Sequence, residues 1–518
     1  MELLKKNIHM DRIRTEGVTQ IALEDDVNLS ENKPDVSSIS LERGELVIEE
    51  VKPGTDCVNV RGRLNFCVLY YTQEPGCSLV NMEGRILFDE KINLQGVMPA
   101  DTVRVDTEVE DLSIGIINSR KLSVQSVVTL YASVEELYDE EAPIGLYGDE
   151  KVEYRKVPLE LAQITICKND IYRIREEFTL PSNYPNVFQI LWNCISLCDV
   201  EFRVLNEKLS VQGEARLFML YEGEGEDHPI RSYETALPFS GVLECHGCRE
   251  GDVGDIRYLV NSHELSVRPD LDGEERNIGL ELAMDLSIHV YADEKMELVT
   301  DLYGVAKEIE TQSHSVGLRR LLSKVTGKCK VTDRIRTENG APPVLQLVHS
   351  EGKVLQEGQE VSGDGIQLTG WLQVKVMYIT GDDENPYSAT QAQIPYQYHL
   401  EVPGIKSEDM KKITAQVEQL QVTMLDGEEM DVKAVLSFET TVFQAIPVEL
   451  ISQVTVSEPD SAKMSELPGM VIHVVKAGDN LWNIGKRYYV PVDLLRDLND
   501  LKTDELQPGQ KLLIVKQG

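Results

Sequence analysis

Apolar and polar residues alternate from Val58 to Tyr70, with Val58, Val60, Leu64, Phe66, Val68 and Tyr70 on the face shared by Gly62. The same thirteen-residue pattern returns from Leu209 to Tyr221 and from Ile366 to Tyr378. Each copy has a glycine in the fifth place (Gly62, Gly213, Gly370) and a tyrosine in the thirteenth (Tyr70, Tyr221, Tyr378). A period of two over this length is that of a half-buried strand. A glycine on the buried face predicts a bulge or the close approach of neighbouring groups.

Further landmarks recur in step. Pro34-Asp35-Val36, Pro185-Asn186-Val187 and Pro343-Val344-Leu345 precede the three strands at a nearly constant distance. Downstream, the segments Val109 to Ile114, His263 to Val267 and Glu418 to Val422 each hold a short apolar pair, then a turn. Longer alternating strands follow at Lys121 to Tyr131, Gly279 to Tyr291 and Asp431 to Val442. Asp426-Gly427 before the last of these is a strong hairpin signal. Asp11 to Glu16 and Asp333 to Glu338 are nearly identical and read as the openings of copies one and three.

Strand signals dominate, so the chain is expected to be mainly β: three tandem β-sandwich-like repeats over 1–150, 163–305 and 325–455. Connections are expected from Glu135 to Glu141 and from Gly317 to Lys328, where Leu318 to Leu322 has the spacing of a short helix. A polar stretch at 456–470, bracketed by Pro459 and Pro468, reads as an extended linker.

The period changes after Val471. Ile472 to Lys476 predicts a strand, Gly478 a turn, and Asp479 an N-cap. From Leu481, residues Trp482, Ile484, Gly485 and Tyr488 recur at helical spacing, and a second helix follows Pro491 with Val492, Leu494, Leu495 and Leu498. Leu506-Gln507-Pro508-Gly509 forms a turn with Pro in second and Gly in third position, and Lys511 to Val515 closes the unit as a strand. This small βααβ unit over 471–518, with its Gly-Asp-Xaa-Leu-Trp turn, the Asn499 region and the Pro-Gly-Gln-Lys-Leu ending in order, resembles a LysM domain. The resemblance implies a shallow groove for N-acetylglucosamine-containing glycan or another partner, between Gly478, Asp479, Asn480 and Leu481 on one loop and Leu506, Gln507 and Pro508 on the other. Backbone amides near Gly478 would meet an acetamido carbonyl, with Leu481 and Leu506 against the sugar face. Trp482, at the head of an apolar stripe, is expected in the module's core.

Charge narrows the partners. The formal net charge is −37. The last 48 residues hold seven basic and six acidic side chains, so the acidity belongs to the preceding repeats. Such a surface repels phosphate backbones and anionic lipid, so neither nucleic-acid nor membrane binding is expected. No apolar stretch of signal-peptide length follows Met1, and no run approaches the ~20 residues of a membrane span. A protein of the compartment in which it is made is expected.

Catalytic motifs are lacking. There is no phosphate loop, no Gly-x-Ser-x-Gly and no His-Glu-x-x-His, and an enzyme is not expected. Nine cysteines, an odd number in a long acidic chain, suit reduced thiols. Cys245-His246-Gly247-Cys248 with Cys194 and Cys198 holds the residue types of a four-ligand zinc site, but packed thiols are the simpler reading; no metal or cofactor is expected.

Tandem copies of one β domain followed by a single LysM unit resemble the SipL-type spore coat morphogenetic proteins of clostridial endospore formers. The resemblance implies a mother-cell protein at the forespore surface, engaging a spore coat morphogenetic ATPase of the basement layer through its LysM domain. Binding of peptidoglycan glycan by that domain is the alternative.

Overall fold

The alternation around Gly62 folds as the central strand of a three-stranded antiparallel sheet, and the recurrence of the pattern makes this sheet three times. The computed structural model describes residues 1–72, 79–148, 151–225, 228–305, 307–337, 340–382, 385–458 and 469–515. Copy one comprises β1 (Glu2–Asn28), β2 (Val36–Pro53), β3 (Cys57–Thr72), β4 (Leu79–Asn93), β5 (Val103–Asn118) and β6 (Lys121–Tyr147). Copy two comprises β7 (Val152–Thr179), β8 (Val187–Leu205), β9 (Lys208–Gly223), β10 (Ile230–Glu244), β11 (Val253–Pro269) and β12 (Glu275–Gly304). Copy three comprises β13 (Glu308–Arg336), β14 (Val344–Ser362), β15 (Gly365–Thr380), β16 (Tyr387–Glu401), β17 (Met410–Met424) and β18 (Glu429–Ser457). In each, the second to fourth strands form one sheet, and the first, sixth and fifth form another in that order. The chain is mainly β, and two sheets enclose a core within each copy.

The repeated glycines lie under aromatic rings. Gly62 pairs with Phe88, Gly213 with Phe239 and Gly370 with Tyr396 on the neighbouring strand. A Cβ on Gly62 would stand 2.6 Å from the Val47 carbonyl and 2.7 Å from Phe88, and one on Gly370 would stand 2.1 Å from the Leu355 carbonyl. The glycine lets the ring lie flat over the strand. Tyr70 and Tyr221 hydroxyls donate to the carbonyls of Pro34 and Pro185, which ties the two strongest sequence landmarks to one contact. Burial pushes both phenols up to about 12.

Where helix or connection is expected, the strands continue. Glu135 to Glu141 lies in β6, and Leu318 to Leu322 lies in β13. The apparent helical spacing at Leu318, Leu321 and Leu322 arises from a bulge at Leu322, which resets the alternation by one residue. The same bulge occurs at Arg14 in β1 and Thr165 in β7. It also corrects the reading of the two similar openings. Asp11 precedes the bulge in β1, whereas Asp333 lies near the end of β13, so the place of Asp11 in copy three is taken by Arg319. Glu338 lies outside the described residues.

The six long strands run beyond their own sandwiches and pack together. Ile8, Ala142, Leu161, Leu298, Leu318 and Leu450 share one buried cluster drawn from all three copies. A second cluster joins the short sheets through Leu69, Tyr71, Trp192, Phe218 and Met377. A buried polar knot also joins the copies. Lys412 Nζ lies 3.4 Å from Asp11 and 3.2 Å from Asp255, Arg319 lies 3.2 Å from Asp11, and the Tyr291 hydroxyl donates to Asp11 at 2.8 Å. Each copy therefore contacts both others.

Candidate functional site

The terminal module is a two-stranded ladder, β19 (Met470–Val474) with β20 (Lys511–Val515), carrying α1 (Leu481–Tyr488) and α2 (Val492–Leu498). Of the expected linker, residues 459–468 lie outside the described residues. The core comprises Val475, Leu481, Ile484, Val490, Leu495, Leu512 and Ile514. Asn499 fastens α2 to β20: its amide donates to the carbonyls of Leu495 and Leu513, and its oxygen accepts from the Leu513 amide at 2.6 Å.

The two loops flanking the groove are shaped by local hydrogen bonds. Gly478 turns with φ +91°, and Gly509 with φ +88°, a region that favours glycine. The Gln510 amide donates to the Gln507 carbonyl across Pro508-Gly509 at 3.0 Å. Asn480, rather than Asp479, caps α1, its side chain accepting from the Asn483 amide at 2.8 Å. Asp479 instead accepts from the Lys476 amide at 2.9 Å and pairs with buried His473 at 2.8 Å. Those two bonds hold its carboxyl below the usual range. A capping aspartate and a loop-bracing aspartate look alike in sequence; the extra residue in the turn decides between them.

Gly478, Asn480, Gln507 and Pro508 are exposed, Asp479 and Leu506 are half-buried, and Leu481 is buried in the core. Leu481 thus presents no face to a ligand, and the accessible lip is polar backbone and amide.

Trp482 departs from expectation. It is absent from the module's core cluster and faces outward onto the end of β12. Its indole donates to Asp301 at 2.7 Å and meets the Tyr303 ring edge-on at 5.0 Å, while the Arg155 guanidinium lies 5.9 Å from its ring. Lys486 pairs with the same Asp301 at 2.5 Å, and the Tyr303 hydroxyl donates to the Val490 carbonyl at 2.9 Å. Gly485 makes room: a Cβ there would stand 2.5 Å from the Tyr303 hydroxyl. Burial works against the Asp301 charge, but the bonds from Lys486 and Trp482 hold its pKa below the ordinary value. The seat residues Arg155, Asp301 and Tyr303 carry no motif. Their only sequence signal is a helix bearing both a tryptophan and a glycine on a stripe too wide for so small a core.

The four cysteines with zinc-ligand chemistry do not converge. Cys245 and Cys248 are buried in a turn, where the Cys248 thiol donates to the Leu205 carbonyl at 3.0 Å. Burial raises Cys245 to about 11. Cys198 is buried apart from them, and the Cys194 thiol reaches across to Glu351 of copy three at 2.7 Å.

Comparison with known proteins finds a repeated domain and a terminal module. The SipL, SPOCS domain family matches residues 35–117, 186–268 and 343–425, and the LysM domain family matches 473–515. The chain belongs to the proteins built from tandem SipL domains and a C-terminal LysM domain. A segment of 45 residues is 49% identical to Bacillus subtilis (strain 168) YdhD, whose name proposes a sporulation-specific glycosylase, over 9% of this chain and 11% of that protein. Another of 43 residues is 42% identical to the uncharacterized protein YkzQ of the same organism, over 8% of this chain and 57% of that one. The chain thus spans less than two thirds of either relative. No solved structure matches it significantly. Among the described residues no helix is long and apolar enough to cross a membrane.

Proposed function

We propose that this is a non-enzymatic scaffold of sporulation, in which three SipL domains form a rigid body that presents the LysM domain for docking to a coat protein at the forespore surface. The resemblance to SipL-type proteins supports a basement-layer ATPase as that partner, with the chain acting in the mother-cell cytoplasm. The observation that carries the reading is the orientation of the module: Trp482, Gly485 and Lys486 fix one side of α1 to Asp301 and Tyr303, while Gly478, Asn480, Gln507 and Pro508 remain exposed. The docking surface assigned to the partner is Gly478, Asp479 and Asn480 with Leu506, Gln507 and Pro508, with Leu481 supporting it from beneath.

Glycan binding is the second reading, favoured by the same exposed lip and by the short match to a protein whose name proposes a glycosylase. Replacing exposed Gln507 by Arg leaves the module's core untouched. Under the docking reading, the Gln507→Arg chain stays folded and loses its protein partner on immunoprecipitation from sporulating cells. Unchanged recovery of the partner, or its absence from wild-type precipitates, would overturn the assignment; retention on purified peptidoglycan abolished by Gln507→Arg would favour the second reading.

A further inference from the structure

The three copies bring equivalent positions to their common centre, and one seam differs from the others. A bulge at Ser40 in β2, Leu191 in β8 and Val348 in β14 marks the same place in each copy. The residues after it are Leu41, Trp192 and His349, and two further on stand Arg43, Cys194 and Glu351. Between copies one and two, the Arg43 guanidinium lies over Trp192 at 5.1 Å and donates to the Asn193 carbonyl at 2.6 Å. Between copies two and three, the same pair of positions is filled by a thiol, Cys194, and an imidazole, His349. Glu351 joins them from the strand that carries His349.

From this replacement we propose a metal site for a zinc-class divalent cation, formed by Cys194 of copy two with His349 and Glu351 of copy three. Thiolate, imidazole and carboxylate are the donors such ions select. One ligand atom from each of the three lies within 4.8 Å of the others. His349 and Glu351, two apart on β14, point to one face of the sheet. The His349 ring is stacked on Phe218 with centroids 4.1 Å apart and planes 11° apart, so its direction is set by packing.

The His349 environment supplies an independent observation. Both ring nitrogens are buried without a hydrogen-bond partner, an unfavourable arrangement in a protein interior. The Glu234 carboxylate lies 3.9 Å from Nδ1, beyond hydrogen-bonding reach. A metal satisfies one nitrogen directly. Zinc holds sulfur at about 2.3 Å and nitrogen or oxygen at about 2.0–2.2 Å. The thiol and carboxylate, now 2.7 Å apart, would therefore open to roughly 3.5 Å as the ion enters between them, a side-chain adjustment at the edge of a cleft of about 580 Å³. The fourth position faces the cleft, where a solvent water can take it.

Two cations face the cluster and must be reconciled with it. Arg43 is held by Asn193 and Trp192, and Lys375 donates to the Glu42 carbonyl at 2.5 Å. Each is thus engaged by a backbone carbonyl. A thiolate and a carboxylate together balance the two charges of the ion, and the thiol proton leaves to solvent on binding. The consequence is a clamp: ligands from two copies, joined by one ion, lock that seam and not the other two.

Cobalt(II) offers a direct probe, because thiolate ligation gives a charge-transfer absorption and four-coordination gives strong visible bands. The intact chain, freed of metal and titrated with cobalt chloride, is expected to bind one equivalent with both signatures, and zinc is expected to displace it. Cys194→Ser should lose the charge-transfer band, and Glu351→Gln, nearly isosteric, should weaken binding at least tenfold; Cys167→Ser and Cys245→Ser should leave the spectrum unchanged. Zinc should also raise the melting midpoint of the wild type and not of Cys194→Ser. The absence of a thiolate band in the folded wild type, or a band that survives Cys194→Ser, would overturn the proposal.

Discussion

A single missing Cβ does much to decide how each sheet packs. Gly370 has the Leu355 carbonyl where its Cβ would be and Tyr396 over its face. Gly370→Val should therefore destabilise copy three by roughly 1–3 kcal/mol, read as a lower melting midpoint, whereas Gly317→Ala, with open space around it, should leave the midpoint unchanged. The pair of His289 and Glu135, 3.0 Å apart, acts through charge. Burial opposes the imidazolium, but the hydrogen bond that His289 donates to Glu135 and the neighbouring Cys167 raise it to about 9. The bond to His289 lowers Glu135 to about 2. The histidine's contribution is full below its ordinary value of 6.5 and is lost as pH rises through about 9. The glutamate's is present above 4.5 and is lost as pH falls through about 2. Melting curves should thus fall more between pH 7 and pH 10 for the wild type than for Glu135→Gln, a range chosen to span the raised histidine value; parallel profiles would contradict the pairing.

At the scale of elements, α1 has two jobs, and the sequence reveals one. Its buried side builds the LysM core; its other side is the contact with β12. Trp482→Ala should free the module from the body without unfolding it, seen as new protease cleavage between the two and an unchanged LysM core by amide exchange. A Trp482→Ala chain that remains as protected as the wild type would contradict the contact. The strands, the three copies and the βααβ order were legible because periods of two and 3.6 survive in single sequences. The seat was not, because Asp301 and Tyr303 sit on a strand far from Trp482 in the chain, and no local pattern encodes a contact between distant elements. The bulge at Leu322 reads as a helix because one inserted residue converts alternation into helical spacing over a few positions. The similarity of Asp11 to Glu16 with Asp333 to Glu338 misleads because short charged strings recur without structural equivalence: Asp11 is buried before the bulge of β1, and Asp333 is exposed near the end of β13.

For the whole molecule, the copies share a fold but differ at their junction, and the differences make them complementary. The place held by Asp11 in copy one is held by Ala162 in copy two and Arg319 in copy three, with Asp255 and Lys412 beside them. Lys412→Met would remove the buried cation that Asp11 and Asp255 share, leaving Asp255 only Arg257 at 3.9 Å and Asp11 only Arg319 and the Tyr291 hydroxyl, and should cost about 3–5 kcal/mol; a melting midpoint equal to that of the wild type would show that the knot contributes nothing. A body so joined gives its terminal module a fixed orientation, with the lip at Gly478, Asn480, Gln507 and Pro508 turned outward. The most direct test of the account is immunoprecipitation of the intact chain and of Gln507→Arg from sporulating cells, with the recovered proteins identified by mass spectrometry. The account predicts a stoichiometric protein partner with the intact chain and its loss with the variant. A partner recovered equally with both, or none with either, would contradict it.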